Sequence, residues 1–147
     1  MISFTVYGEP KALKRHRTVR CGQFNREYDP SAPDKSDFLA KCQAHRPALP
    51  LTGPLKLEII ATFGRPKNHY RSGKNAGRLK EHAPNWHTSR PDQSNIEKFV
   101  EDALNGIFFK DDSQIAHAEV LKLYGNTPCV GITIKELELP LCTLDTN

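Results

Sequence analysis

The chain has 147 residues, 26% of them charged, with a net charge of +4 and a mean hydropathy of −0.58. That length suits one domain with a core large enough to stand without disulfide or metal staples. No apolar run approaches the ~20 residues of a membrane helix, and the opening stretch Met1–Tyr7 is too short and lacks the basic leader of a secretory signal, so a soluble cytoplasmic protein is expected. The charges are uneven along the chain. Residues 1–91 carry 17 Lys/Arg against 7 Asp/Glu, and residues 92–147 carry 4 against 10. The first part fits a polyanionic partner, and the second offers the carboxylate oxygens that hard divalent cations prefer. Chance segregation of solvated charges would give the same tally, so the asymmetry alone decides little. Cys21, Cys42, Cys129 and Cys142 are widely spaced, with no C-x-x-C, and are expected to be reduced thiols.

Ile2 to Tyr7 alternates apolar and polar residues and predicts a strand, ended by Gly8-Glu9-Pro10. A basic run follows, with Lys11, Lys14, Arg15, His16, Arg17 and Arg20. Ser31-Ala32-Pro33-Asp34 is a helix start with proline in the first turn. Phe38, Leu39 and Cys42 then share a helical face, and Pro47 and Pro50 stop it. Leu55 to Phe63 is a second strand, with Leu55, Leu57, Ile59, Ala61 and Phe63 on one face. From about 64 to 91 periodicity disappears. This long basic loop carries Arg65, Lys67, Arg71, Lys74, Arg78, Lys80 and Arg90 against Glu81 alone, and loops of that length are usually functional or disordered. Ser94-Asn95-Ile96-Glu97 has the form of a capping box. Ile96, Phe99, Val100, Ala103 and Leu104 form the apolar stripe of a helix that Asn105-Gly106 should end. Ile115–Tyr124 and Pro128–Leu137 read as strands that could pair as a hairpin across Gly125-Asn126-Thr127. The expectation is an α+β domain over 1–137, a small mixed or antiparallel sheet packed with two main helices, followed by a tail at 138–147.

Three carboxylates flank the strong helix: Asp92 before it, and Asp111 and Asp112 after it. A helix of about eleven residues rises about 16 Å, so the later pair meets Asp92 only if Ile107-Phe108-Phe109 returns beside the helix as a strand. Carboxylates converging there would bind Mg²⁺ or Mn²⁺, an ion that activates water and neutralises charge at a phosphodiester. Each aspartate alone is better explained as a turn residue. Lys98 falls on the face opposite the core stripe, placed either to stabilise a phosphate in reaction or to pair with Asp102.

The blocks Arg90-Pro91-Asp92-Gln93-Ser94-Asn95-Ile96-Glu97-Lys98, Asp102-Ala103-Leu104-Asn105-Gly106 and Asp111-Asp112-Ser113-Gln114-Ile115 closely resemble the RusA family of Holliday junction resolvases, found in bacteriophages and prophages. Gly8-Glu9-Pro10 and Arg15-His16-Arg17 resemble its opening strand and basic turn. The resemblance covers about 2–137. It implies a mixed α/β homodimer without a small-molecule substrate, cutting paired strands of branched DNA at a four-way junction in recombination and repair. It implies a catalytic set of Asp92, Lys98, Asp112 and Asp111, with Asp92, Asp112 and more weakly Asp111 as ligands of Mg²⁺ or Mn²⁺. Charge adds Lys14, Arg15, Arg17, Arg71, Lys74 and Arg90 as DNA contacts. One position departs from the family pattern P-D-x-D-N: its second aspartate is Ser94 here. That residue separates a nuclease from a structure-selective DNA-binding protein with weak or lost cleavage. A histidine-type metal nuclease built on His82, Asn85 and His87 is too compressed in spacing. An RNA-binding module lacks an aromatic strand platform.

Overall fold

The computed structural model describes residues 1–138. Its regular elements are β1 (Ile2–Tyr7), β2 (Arg17–Cys21), β3 (Phe24–Tyr28), α1 (Ala32–Cys42), β4 (Leu55–Gly64), α2 (Gln93–Leu104), β5 (Ile115–Gly125) and β6 (Cys129–Glu136). The main sheet has the order β1-β6-β4-β5, with β4 and β5 parallel and the other pairs antiparallel. This is the expected α+β architecture. Residues 139–147, including Cys142 and nearly all of the expected tail, lie outside the described residues. Cys21, Cys42 and Cys129 are free thiols.

The alternation in β4 buries Leu55, Leu57, Ile59, Ala61 and Phe63. Phe4 and Val6 of β1, Val120 of β5, and Val130, Ile132 and Ile134 of β6 join them in one core. Against these lie Phe38 and Cys42 of α1 and the whole predicted stripe of α2. Phe38 meets Phe99 edge-on at 5.5 Å, and truncating so buried a phenyl typically costs about 3–5 kcal/mol. The other sheet face is open and carries a row of ion pairs, Lys56 with Glu58 and Glu119, and Glu58 with Lys135.

Three local readings change. β5 and β6 do not pair with each other, because β4 lies between them. The strand with the most complete apolar face takes the sheet centre, and Asn126, Thr127 and Pro128 at ~3.3 Å each can cross the two ~4.8 Å strand spacings. A second change is the separate hairpin β2–β3, formed where only a basic turn was expected; all ten of its strand residues are exposed. Its sequence signal is short: Gly22, at φ +65, and Gln23 form a two-residue connection between the paired Cys21 and Phe24. Third, the basic loop is pinned to the sheet end. His87 stacks on Phe63 at 3.8 Å, His69 meets Tyr124 at 4.7 Å, and Trp86 bridges to Leu123.

Candidate active site and nucleic-acid interface

Asp92 is set by its neighbours on both sides. The Lys122 ammonium, from β5, donates to the carbonyls of Ser89 and Pro91, each at 2.6 Å. It thereby clamps the segment that contains the cis Arg90–Pro91 peptide and delivers Asp92 to the start of α2. The capping box expected at Ser94 is absent: α2 begins at Gln93 and Asp92 is its N-cap. Proline before the aspartate and the Lys122 clamp place the helix start two residues early. The Asp92 backbone carbonyl accepts from Asn95 N–H (3.1 Å) and Ile96 N–H (3.3 Å), while its side chain makes no capping bond. An exposed carboxylate therefore stands free at the positive end of a helix.

Leu13 N–H donates to the Asn95 carbonyl at 2.8 Å, drawing the segment after β1 across this helix end. The result is an open cleft of about 760 Å³, lined by Lys11, Lys14, Arg15, Arg90, Asp34 and Asp92 among others. Lys14 and Lys11 share Asp34, at 2.9 and 3.8 Å. The hydrogen bond from Lys14 holds that carboxyl below its ordinary value. Arg15 and Arg90 form no ion pair among the described residues, so the rim keeps unspoken-for positive charge beside Asp92. Of the other expected contacts, Arg17 lies on the hairpin, Arg71 pairs with Glu81 at 3.3 Å, and Lys74 sits in a 3₁₀ turn of the basic loop.

The far end of α2 is built differently. Ile107–Phe109 does not return along the helix. It closes a tight turn in which Ile107 and Phe108 N–H donate to the Leu104 carbonyl, and Phe108 and Phe109 are fully buried. Two consecutive phenylalanines at a helix end are held more strongly by the core than by an exposed strand. Asp111 and Asp112 stay at this end. Asp111 Oδ1 accepts from Ser113 N–H and Gln114 Oε1 accepts from Asp111 N–H, both at 2.9 Å, a closed capping box. Gln114 Nε2 reaches the carbonyls of Leu51 and Gly53 at 3.1 and 2.8 Å. The D-D-x-Q pattern is thus a turn lock, with Asp111 engaged in it and held below its ordinary pKa by the Ser113 hydrogen bonds. Asp112 is exposed. Glu101 beside it is pushed above its ordinary value, first by burial and then by Glu97, Asp112 and Asp102, with Lys98 opposing. Asp102 pairs with Lys35 of α1 rather than with Lys98, and Lys98 forms no ion pair among the described residues.

Two rulers measure the gap between the ends. Twelve helical residues rise about 18 Å, and the strand from Ile115 to Lys122 spans about 23 Å at ~3.3 Å per residue. Asp92 and Asp112 are therefore roughly 20 Å apart within one chain. Among the described residues no group of three His, Cys, Asp or Glu side chains is disposed to hold a metal. Asp92 and the Asp111–Asp112 pair thus stand at different ends of α2 in the protomer. Ser94 and Lys98, both exposed, lie on the α2 face between the two ends. His87 is buried at the sheet end, stacked on Phe63 and tilted against Tyr124. Burial and Lys122 keep its pKa low. Lys122 and Gln114 are the positioning residues that sequence reasoning missed or left unassigned. Their partners are backbone carbonyls distant in sequence, which no spacing rule reports.

The sheet with both helices on one side sets a free carboxylate at a helix start among cations, a charge arrangement suited to meeting a polyanion. The lineage is specific: the chain belongs to the RusA family, matching the profile of "Endodeoxyribonuclease RusA" over residues 7–135. It is 37% identical over 145 residues to a Bacillus subtilis (strain 168) protein described as "Uncharacterized protein YqaN", covering 92% of this chain and 96% of that one. No helix among the described residues is long and apolar enough to cross a membrane.

Proposed function

We propose that this protein is an endodeoxyribonuclease that resolves four-way DNA junctions by paired nicking, acting as a homodimer with Mg²⁺ or Mn²⁺ in DNA recombination and repair. The observation that carries this reading is the free Asp92 carboxylate at a helix N-terminus inside a cationic cleft. Lys11, Lys14, Arg15 and Arg90 would hold the backbone phosphates on either side of the scissile bond, and Lys98 would steady charge developing along the helix face. With Asp92 and Asp112 at opposite ends of α2, the reading calls for a two-fold dimer that sets Asp92 of one protomer against Asp112 of its partner. Two such composite sites would face two strands of a two-fold junction.

Ser94 supports a second reading, a junction-binding protein with weak cleavage. Nicking of a synthetic four-way junction with Mg²⁺ or Mn²⁺ separates the two. Symmetric nicking by the wild type, lost in Asp92→Asn, supports the enzyme. Tight binding without nicking, with nicking restored in Ser94→Asp, supports the binder. No preference for a junction over linear duplex defeats both.

A further inference from the structure

We infer that the β2–β3 hairpin is a base-stacking arm, which inserts its aromatic face at the branch point of the DNA held in the Asp92 cleft. This rests on the branched-DNA reading above. Cross-strand partners in an antiparallel pair share a face. The pairs Arg17–Tyr28, Val19–Arg26 and Cys21–Phe24 therefore share one side, and Thr18–Glu27 and Arg20–Asn25 the other. All three exposed large apolar side chains of the hairpin, Phe24 (78% exposed), Val19 (47%) and Tyr28 (41%), fall on the first side. So do two arginines and no acid. A solubilising surface would not segregate in this way, and a core face would be covered. Alternating cations and rings are the pattern that grips a sugar–phosphate backbone while stacking on its bases.

The root of the arm fixes where it reaches. Lys14 N–H donates to the buried Ser31 hydroxyl at 2.8 Å, clasping the two ends of the hairpin segment at the start of α1. Lys14, Arg15 and Asp34 line the cleft that contains Asp92. The arm thus springs from the cleft rim and extends roughly 16 Å beyond it, with Phe24 at its tip. A continuous duplex offers no exposed base face, whereas a branch point has base pairs that unstack at low cost. The charge on this face and its continuity with the cleft select DNA over a protein partner.

The test uses a four-way junction with 2-aminopurine at the branch point and a matched linear duplex, titrated without divalent metal. The wild type should change the branch-point fluorescence and prefer the junction. Phe24→Ala should lose about tenfold or more in junction affinity, abolish the fluorescence change and leave duplex binding unaltered. Phe24→Trp should retain both signals, and Thr18→Ala with Asn25→Ala on the opposite face should affect neither. Wild-type behaviour of Phe24→Ala overturns the arm while leaving the nuclease reading intact. So does a loss of binding that sedimentation traces to dissociated dimers, which would make the tip a protein interface. Absence of any junction preference in the wild type overturns the nuclease reading, and the arm with it.

Discussion

The two ends of α2 carry aspartates for opposite physical reasons. At the N-terminal end, Asp92 occupies a capping position without capping, surrounded by Lys11, Lys14, Arg15 and Arg90 and by the positive pole of the helix. At the C-terminal end, Asp111 is tied into a turn, and Asp112, Glu101 and Asp102 crowd the negative pole, with Glu97 one turn back adding to the charge on Glu101. The first arrangement favours an anion's arrival. The second is unfavourable for folding, because it charges a partly buried glutamate among like charges. Such local conflicts are where function tends to reside. Each end lacks what the other has, and the proposed two-fold dimer would bring them together.

The sharpest way to break this comparison is to separate the ends genetically. Asp92→Asn and Asp112→Asn homodimers should each lose more than about a hundredfold in nicking, beyond the range of losses seen for mere ligand supports. Mixed dimers of the two should recover nicking, on one strand only, because one composite site is then intact. Mixed dimers as inactive as the parents would return both aspartates to a single chain. Next in size, Lys122→Met should cut the nicking rate ten- to a hundredfold at unchanged junction affinity, since misplacing a reacting group by about 1 Å has that effect. Loss of binding instead would show Lys122 to be a DNA contact.

Arg15→Ala and Arg90→Ala should weaken binding to junction and duplex alike. Each should flatten the slope of log affinity against log salt by about 0.9 if it neutralises one phosphate; an unchanged slope removes it from the interface. The smallest effect belongs to Glu101. Its folded pKa lies above the ordinary 4.5, so the folded state holds its proton more tightly than the unfolded chain does. Stability therefore falls as pH rises from about 4.5 through the folded value. Glu101→Gln should remove that decline and raise Tm at neutral pH by about 2 °C. A lower Tm would mean that the carboxylate is stabilised by something other than its neighbours. Asp29, held low by Lys35, works in the other direction: its contribution is present above the ordinary 3.8 and is lost on acidification through the folded value.

Much of this was legible from residue order. The strand alternation of Leu55–Phe63 and the stripe from Ile96 to Leu104 specified which faces are buried, because side-chain period is set by backbone geometry whatever the neighbours are. Local pattern failed where two local preferences competed. Ser94 is a good N-cap, but Asp92 is equally good and the Lys122 clamp decides between them. Ile107–Phe109 has strand composition, but the core beside Leu104 takes both phenylalanines. The exposed hairpin buries nothing, so hydrophobic periodicity was silent there.

By itself, then, the sequence determined the family, the α+β class, the core faces and the identity of the charged groups, since these depend on residue type and short-range period. Tertiary structure alone decided that β4 parts β5 from β6, that Lys122 rather than a capping box presents Asp92, and that Ile107–Phe109 turns into the core instead of carrying Asp112 back towards Asp92. Those outcomes depend on distances between residues far apart in the chain, which packing of the whole core sets and no local spacing encodes.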